Sequence, residues 1–217
     1  TRDFDQVRVA LRGDFALSPD TALFGKVMQS DSSYKEGTNT GFALTDKRDS
    51  KETRALAGAN FDLSDVARGE VGLGYVSRNY DSKAFKDVSG FAASAKVEYF
   101  PTQLMTVTFV GQRSVQDAAF SSSGGYFANT LQLGADYEVR RNLIVGAAAG
   151  FEQDDFQGIN RKDKVTNISA VARYLLSRNL GIGASVSYAD RSSEGTPATL
   201  GPEFNVMRFG LSLVFQR

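Results

Sequence analysis

Apolar and polar residues alternate with a period of two along almost the whole chain, and few folds accommodate that pattern. Phe91, Ala93, Ala95, Val97 and Tyr99 fall on one side of such a segment, and Ala92, Ser94, Lys96 and Glu98 on the other. Successive side chains of a strand point to opposite faces, so each such segment reads as a strand with one greasy and one polar face. The same split sets Val7, Val9, Leu11 and Phe15 against Arg8 and Arg12, and Ala55, Ala57, Ala59, Phe61 and Leu63 against Arg54 and Asn60. Val71, Leu73 and Tyr75 oppose Arg68, Glu70 and Arg78, while Leu131, Leu133, Ala135, Tyr137 and Val139 oppose Asp136 and Glu138. Leu143, Val145, Ala147, Ala149 and Phe151 oppose Glu152 and Asp154. Ile168, Ala170, Ala172 and Tyr174 oppose Arg173, and Phe209, Leu211, Leu213 and Phe215 oppose Arg208. Residues 21–30 are a strand by position, with faces that the pattern leaves open.

The connections alternate too. Tight ones at 17–20, 63–66, 100–103, 139–142 and 176–179 carry Pro, Asp, Asn and Ser, residues that preset φ or bond back to the backbone. Longer polar, Gly- and Ser-rich stretches at 31–50, 81–86, 118–125, 157–162 and 192–202 separate them. The expectation is an all-β, antiparallel up-and-down transmembrane β-barrel with residues 1–217 forming a single domain of about eleven strands. Strands of roughly 10–14 residues exceed the ~9–11 that cross a hydrocarbon core. Short turns would face the periplasm and long loops the cell exterior. Eleven is odd, whereas bacterial barrels are normally even. This predicts at least one upstream strand, 12 or more in the full protein, and an intact mass near 23.5 kDa would contradict it.

Alternation alone fits a soluble barrel as well. Three features favour a membrane. Aromatics sit near strand ends (Phe15, Tyr75, Tyr99, Tyr137, Phe151, Tyr174, Tyr188, Phe215), as in interfacial girdles, although Trp is absent. About eleven strands exceed the eight usual for soluble up-and-down barrels. The C-terminal segment fits the outer-membrane assembly signal, with Arg208, Gly210, Leu213 and Phe215 in its defined places and Gln216 and Arg217 following the Phe.

Composition removes several functions. Lys and Arg together number 25, as do Asp and Glu, which leaves no basic excess for nucleic acid. His and Cys are both absent, which excludes histidine-based hydrolysis, thiolate chemistry and their metal sites. The chain is therefore expected to be no enzyme and to carry no cofactor and no metal. The Glu152–Asp155 cluster is read as hydrated carboxylates in preference to a cation site. The longest apolar stretch, residues 143–151, is too short for a membrane helix. Thr1-Arg2-Asp3-Phe4 lacks the basic region and apolar core of a signal peptide, so the sequence reads as mature or as beginning inside a longer one.

Residues 93–102 (ASAKVEYFPT), 105–109 (MTVTF), 134–143 (GADYEVRRNL) and 172–180 (ARYLLSRNL) share a plan: a strand ending in Tyr or Leu, a Pro-Thr or Arg-Asn turn, and a Leu-led return. This resembles the family known as putative β-barrel porins of proteobacterial outer membranes, some of whose members sit in exopolysaccharide operons. The resemblance implies outer-membrane localisation and members longer than this chain. It supplies no catalytic residues.

By the alternation, Arg8, Arg12, Arg54, Arg68, Glu70, Arg78, Lys96, Glu98, Asp136, Glu138, Glu152, Asp154, Arg173, Arg191 and Arg208 point inward. They would line a wet, selective channel, porin-like for small solutes or serving polysaccharide export, or else pair across a closed lumen. Inward aromatics are few, mainly Phe24, Tyr80 and Phe100, which gives a sugar track weak support. The alternative is a structural or adhesive anchor whose loops, above all residues 31–50 with Tyr34 and Phe42, bind a surface partner. Expected partners are outer-membrane lipid and lipopolysaccharide, the barrel assembly machinery, and polysaccharide or a surface protein, with no nucleic acid.

Overall fold

The structure is a computed structural model and describes residues 3–35, 47–63, 66–118, 123–196 and 200–215. Eleven strands follow one another: β1 (Phe4–Ser18), β2 (Thr21–Tyr34), β3 (Ser50–Asp62), β4 (Ala67–Tyr80), β5 (Val88–Thr102), β6 (Met105–Asp117), β7 (Gly125–Arg140), β8 (Leu143–Phe156), β9 (Arg161–Leu175), β10 (Leu180–Gly195) and β11 (Phe204–Phe215). Each pairs antiparallel with its sequence neighbours in a single sheet ordered β1 to β11. β1 and β11 are the two edges and run in the same direction, since the strands alternate and eleven is odd.

The sheet buries little on its outer face. Leu11, Leu73, Phe209 and Leu211 are 78%, 61%, 78% and 87% exposed. A soluble protein would aggregate through such a continuous apolar surface, whereas a bilayer solvates it. The band is bounded in height. On β8 the outward residues run Val145, Ala147, Ala149, Phe151 and then become polar at Gln153 and Asp155; on β9 they run Tyr174, Ala172, Ala170, Ile168 and then Thr166, Lys164, Lys162. Seven to nine residues of ~3.3 Å rise make about 20–26 Å along the strand, the height of a barrel's apolar belt. Aromatics mark both rims. Tyr75, its register partner Phe91, Phe151 and Tyr188 lie at the loop-side rim, and Phe15, Tyr99, Tyr137, Tyr174 and Phe215 at the short-turn rim.

The short turns are tighter than the sequence suggests. Residues 100–102 extend β5, and 139–140 extend β7, each through a register irregularity (between Tyr99 and Thr102, and between Glu138 and Arg140). A bulge tolerates Pro101, which has no N–H to give to a ladder. At the loop side the strands likewise run on to Tyr34 and Gly195 and begin at Ser50 and Arg161, so the long connections are shorter than the polar composition suggests. Phe42 and the tip of that loop lie outside the described residues, as do Gln216 and Arg217.

Candidate functional site

The registers and burial fix the faces that the sequence left open in β2: Phe24, Lys26, Met28 and Ser30 point inward, and Leu23 and Val27 outward. They place the side chains of Arg8, Arg12, Arg54, Arg68, Glu70, Arg78, Lys96, Glu98, Asp136, Glu138, Glu152, Asp154, Arg173, Arg191 and Arg208 on the same inner face. Of the assembly-signal residues, Gly210 shares that face with Arg208, while Leu213 and Phe215 point outward and are exposed.

Toward the short turns the inner face is open and charged. Arg12 bridges Asp14 (2.8 Å) and Glu70 (2.7 Å) and lies 4.2 Å over the Phe24 ring. That ring lies flat across β3 and β4, where a Cβ on Gly72 would sit 2.9 Å from its Cζ. Small residues are what let an inward aromatic lie down on the sheet. Arg68 holds Glu98 at 2.7 Å, with Lys96 3.9 Å from the same carboxylate and 69% exposed. Asp136, Glu138, Arg173 and Arg208 have no ion-pair partner among the described residues.

Toward the loops the interior is packed, by a feature the sequence did not foretell. The β4–β5 ladder climbs to Arg78↔Val88, and the β6–β7 ladder to Asp117↔Gly125. Between them the β5–β6 ladder stops at Ala93↔Arg113, leaving the top of β5 without β6 beside it. Lower on the β6–β7 hairpin, Phe109, Leu131 and Leu133 face outward and are exposed. Higher on the same face, Val115 and Phe127 are buried in one cluster with Val76, Tyr80, Phe85, Val88 and Ala92. Val76, Tyr80, Val88 and Ala92 are inward residues of β4 and β5, so the hairpin top lies inside the wall with its outer face against the wall's inner face. Gly90 of β5 makes room for it, since a Cβ there would sit 3.0 Å from Phe127 Cζ.

Polar contacts fasten the tip. Asp117 Oδ1 accepts from Arg78 Nη1 at 2.5 Å, and Oδ2 from the Tyr34 hydroxyl at 3.0 Å. Arg78 also donates to Glu52, and Arg48 Nη1 to the Ala118 carbonyl at 2.6 Å. Arg113 Nε donates to the Phe91 carbonyl at 3.1 Å, serving the part of β5 that β6 has left, and its Nη1 donates to Asn129. A second network stands on β9 and β10. Asp163, wholly buried, accepts from Arg161 (2.5 and 2.9 Å), Arg191 (2.6 Å) and the Ser193 hydroxyl (2.6 Å). Neighbouring Asp154 is buried with Oδ1 lacking a hydrogen-bond partner. Arg48, Asp117, Arg113 and Asp163 were not among the residues expected to matter. A signal existed: on the inner face of β4 and β5, Arg68, Glu70, Lys96 and Glu98 give way to Val76, Val88 and Ala92 toward the loops.

Across residues 1–217 the chain matches the model of a family described as Putative beta-barrel porin 2. The chain belongs to that family. Among solved structures, the fold is similar to the FrpB iron transporter from Neisseria meningitidis, F3-3 variant (TM-score 0.69, 12% identity, 99% of this chain and 40% of that one). It is also similar to the ferric citrate transporter FecA in the unliganded form (TM-score 0.60, 14% identity, 96% and 39%). The chain thus spans about 40% of the length of these structures, and at such identity they speak for the fold alone. No curated protein matches the sequence. Family and fold together make this porin-family chain an outer-membrane β-barrel protein.

Proposed function

We propose that the barrel is a porin-like channel for small hydrophilic solutes, constricted near its outer mouth by the inward-lying top of the β6–β7 hairpin, and that it performs no enzymatic step. One observation carries the reading: the short-turn half of the inner face holds charges of both signs, of which Asp136, Glu138, Arg173 and Arg208 have no ion-pair partner among the described residues. A lumen sealed by packing pairs or removes its charges, because an unpaired charge away from water costs several kcal/mol. A wet lumen keeps them and uses them for selectivity. Polysaccharide export is the narrower version of this reading. Its support is thinner, since Phe24, Tyr80 and Phe100 are engaged with Arg12, Phe85 and Arg68 in place of an open aromatic track. The proposed partners are lipid and lipopolysaccharide outside, the assembly machinery during insertion, and a solute or polysaccharide within.

Single-channel recording of the full-length protein in planar bilayers, with and without oligosaccharides, tests the reading. Stepwise conductance supports a wet lumen, and sugar blockade favours export. A folded but silent barrel would overturn the channel and leave the anchoring role of the loops as the better account.

A further inference from the structure

Below the inward-lying hairpin, a polar recess of about 140 Å³ opens on the inner face of β2–β6, lined by Lys26, Arg54, Glu70, Ser94 and Gln112 among others. Its charges are unequally committed. Glu70 is held by Arg12 at 2.7 Å. Glu52, beside the recess, is held by Arg78 at 2.5 Å and stands 3.8 Å from Arg54 Nε, outside hydrogen-bond range. The Arg54 side chain is only 14% exposed, and its Nε is buried without an acceptor. Among the described residues Lys26 has no ion pair, and Arg8 on neighbouring β1 has no ion pair either and donates to Gln6 at 3.1 Å. Arg54 thus has a long ion pair with Glu52 and a buried Nε–H with no acceptor, and such a donor is costly unless an acceptor reaches it. Ser94 and Gln112 add neutral donors beside it.

We propose that this recess is a binding subsite for a carboxylate-bearing solute, with Arg54 and Lys26 as its charged ligands and Ser94 and Gln112 as orienting donors. A guanidinium presents paired donors that match a carboxylate, and an adjacent ammonium adds a point charge without fixing direction. The recess lies directly under the place where β6 leaves β5, so a solute passing the constriction meets these cations next. The proposal rests on the channel reading for its physiological meaning, but the binding it asserts is measurable without conduction.

The experiment pairs glucuronate with glucose as its neutral analogue and acetate as a carboxylate without a sugar. Each is titrated calorimetrically into detergent-folded protein, and each is added to bilayers that carry the channel. Glucuronate is expected to bind and to reduce the current, with glucose inactive. Arg54→Gln and Lys26→Gln should each weaken glucuronate by about tenfold, Arg54→Lys by less, and Lys162→Gln, on the outer face, not at all. Acetate binding as well as glucuronate would reduce the subsite to simple carboxylate recognition and still support it. Equal binding of glucuronate to wild type and to folded R54Q and K26Q, or equal binding of glucose, would overturn the proposal. Calorimetric binding in a protein that passes no current would retain the subsite and reject the channel.

Discussion

The two halves of the barrel interior obey different rules although the same strands build both. Toward the short turns, Arg68 and Lys96 share the Glu98 carboxylate, while Asp136, Glu138, Arg173 and Arg208 have no ion-pair partner among the described residues. Toward the loops, Val76 and Val88 are essentially fully buried, Asp163 is closed in by two arginines and a serine, and a hairpin fills the space. In the first region a charge is solvated and nearly independent of its neighbours. In the second each charge depends on its partner, because no water replaces it. The difference teaches where selectivity and where stability are expected to lie: selectivity in the open half and the recess at its upper limit, stability in the packed half.

Substitutions can break or sharpen that contrast. The largest effect is expected at Asp163. Asp163→Ala leaves Arg161, Arg191 and Ser193 facing a buried void and should cost ~3–5 kcal/mol, read as a lower urea midpoint for the heat-modifiable band shift. Next is the lipid face: Leu73→Arg puts a charge in the apolar belt and should cost ~2–4 kcal/mol, whereas Lys96→Leu on the inner face should cost far less. A reversed order would mean that the faces are assigned the wrong way round. Asp117→Asn weakens the tie of the hairpin tip to Arg78 and Tyr34 by ~1–3 kcal/mol. Global stability should fall little, and the conductance should rise and fluctuate as the hairpin top leaves the lumen. The smallest effect belongs to the open half. Glu138→Gln should change stability by less than ~0.5 kcal/mol and shift only the cation-to-anion permeability ratio, measured as a reversal potential in a salt gradient.

The wall of the barrel was legible in the sequence because each of its residues answers a local question. Whether Leu133 or Gln132 faces lipid follows from parity, and the Pro-Thr and Arg-Asn turns mark the hairpin ends. The inner charges followed from the same parity. On the hairpin itself the fold-in was not legible, because Val115 and Phe127 keep the alternation of Phe109 and Leu131 and differ only in what lies against them; its trace lay on the facing wall, in Val76, Val88 and Ala92. An apolar residue suits a lipid-facing site and a packed interior equally well, so periodicity cannot separate the two. The recess escaped for a related reason. Lys26 pairs with Leu56 and Arg54 with Met28, so the two cations stand two positions apart on neighbouring strands, and only burial reveals that Arg54 has lost its water.

The most direct test of the contrast between the halves uses a chain that has no cysteine of its own. V76C combined with V115C places one thiol on the inner face of β4 and the other on the hairpin top, and L131C with V76C serves as the comparison from the lower part of the same hairpin face. With a short bifunctional thiol reagent acting on the folded protein in lipid vesicles, the account predicts efficient intramolecular cross-linking of the first pair and none of the second. No cross-link in the first pair, with position 115 instead labelled by a maleimide dissolved in the lipid phase, would put the hairpin in the wall and contradict the packed outer half.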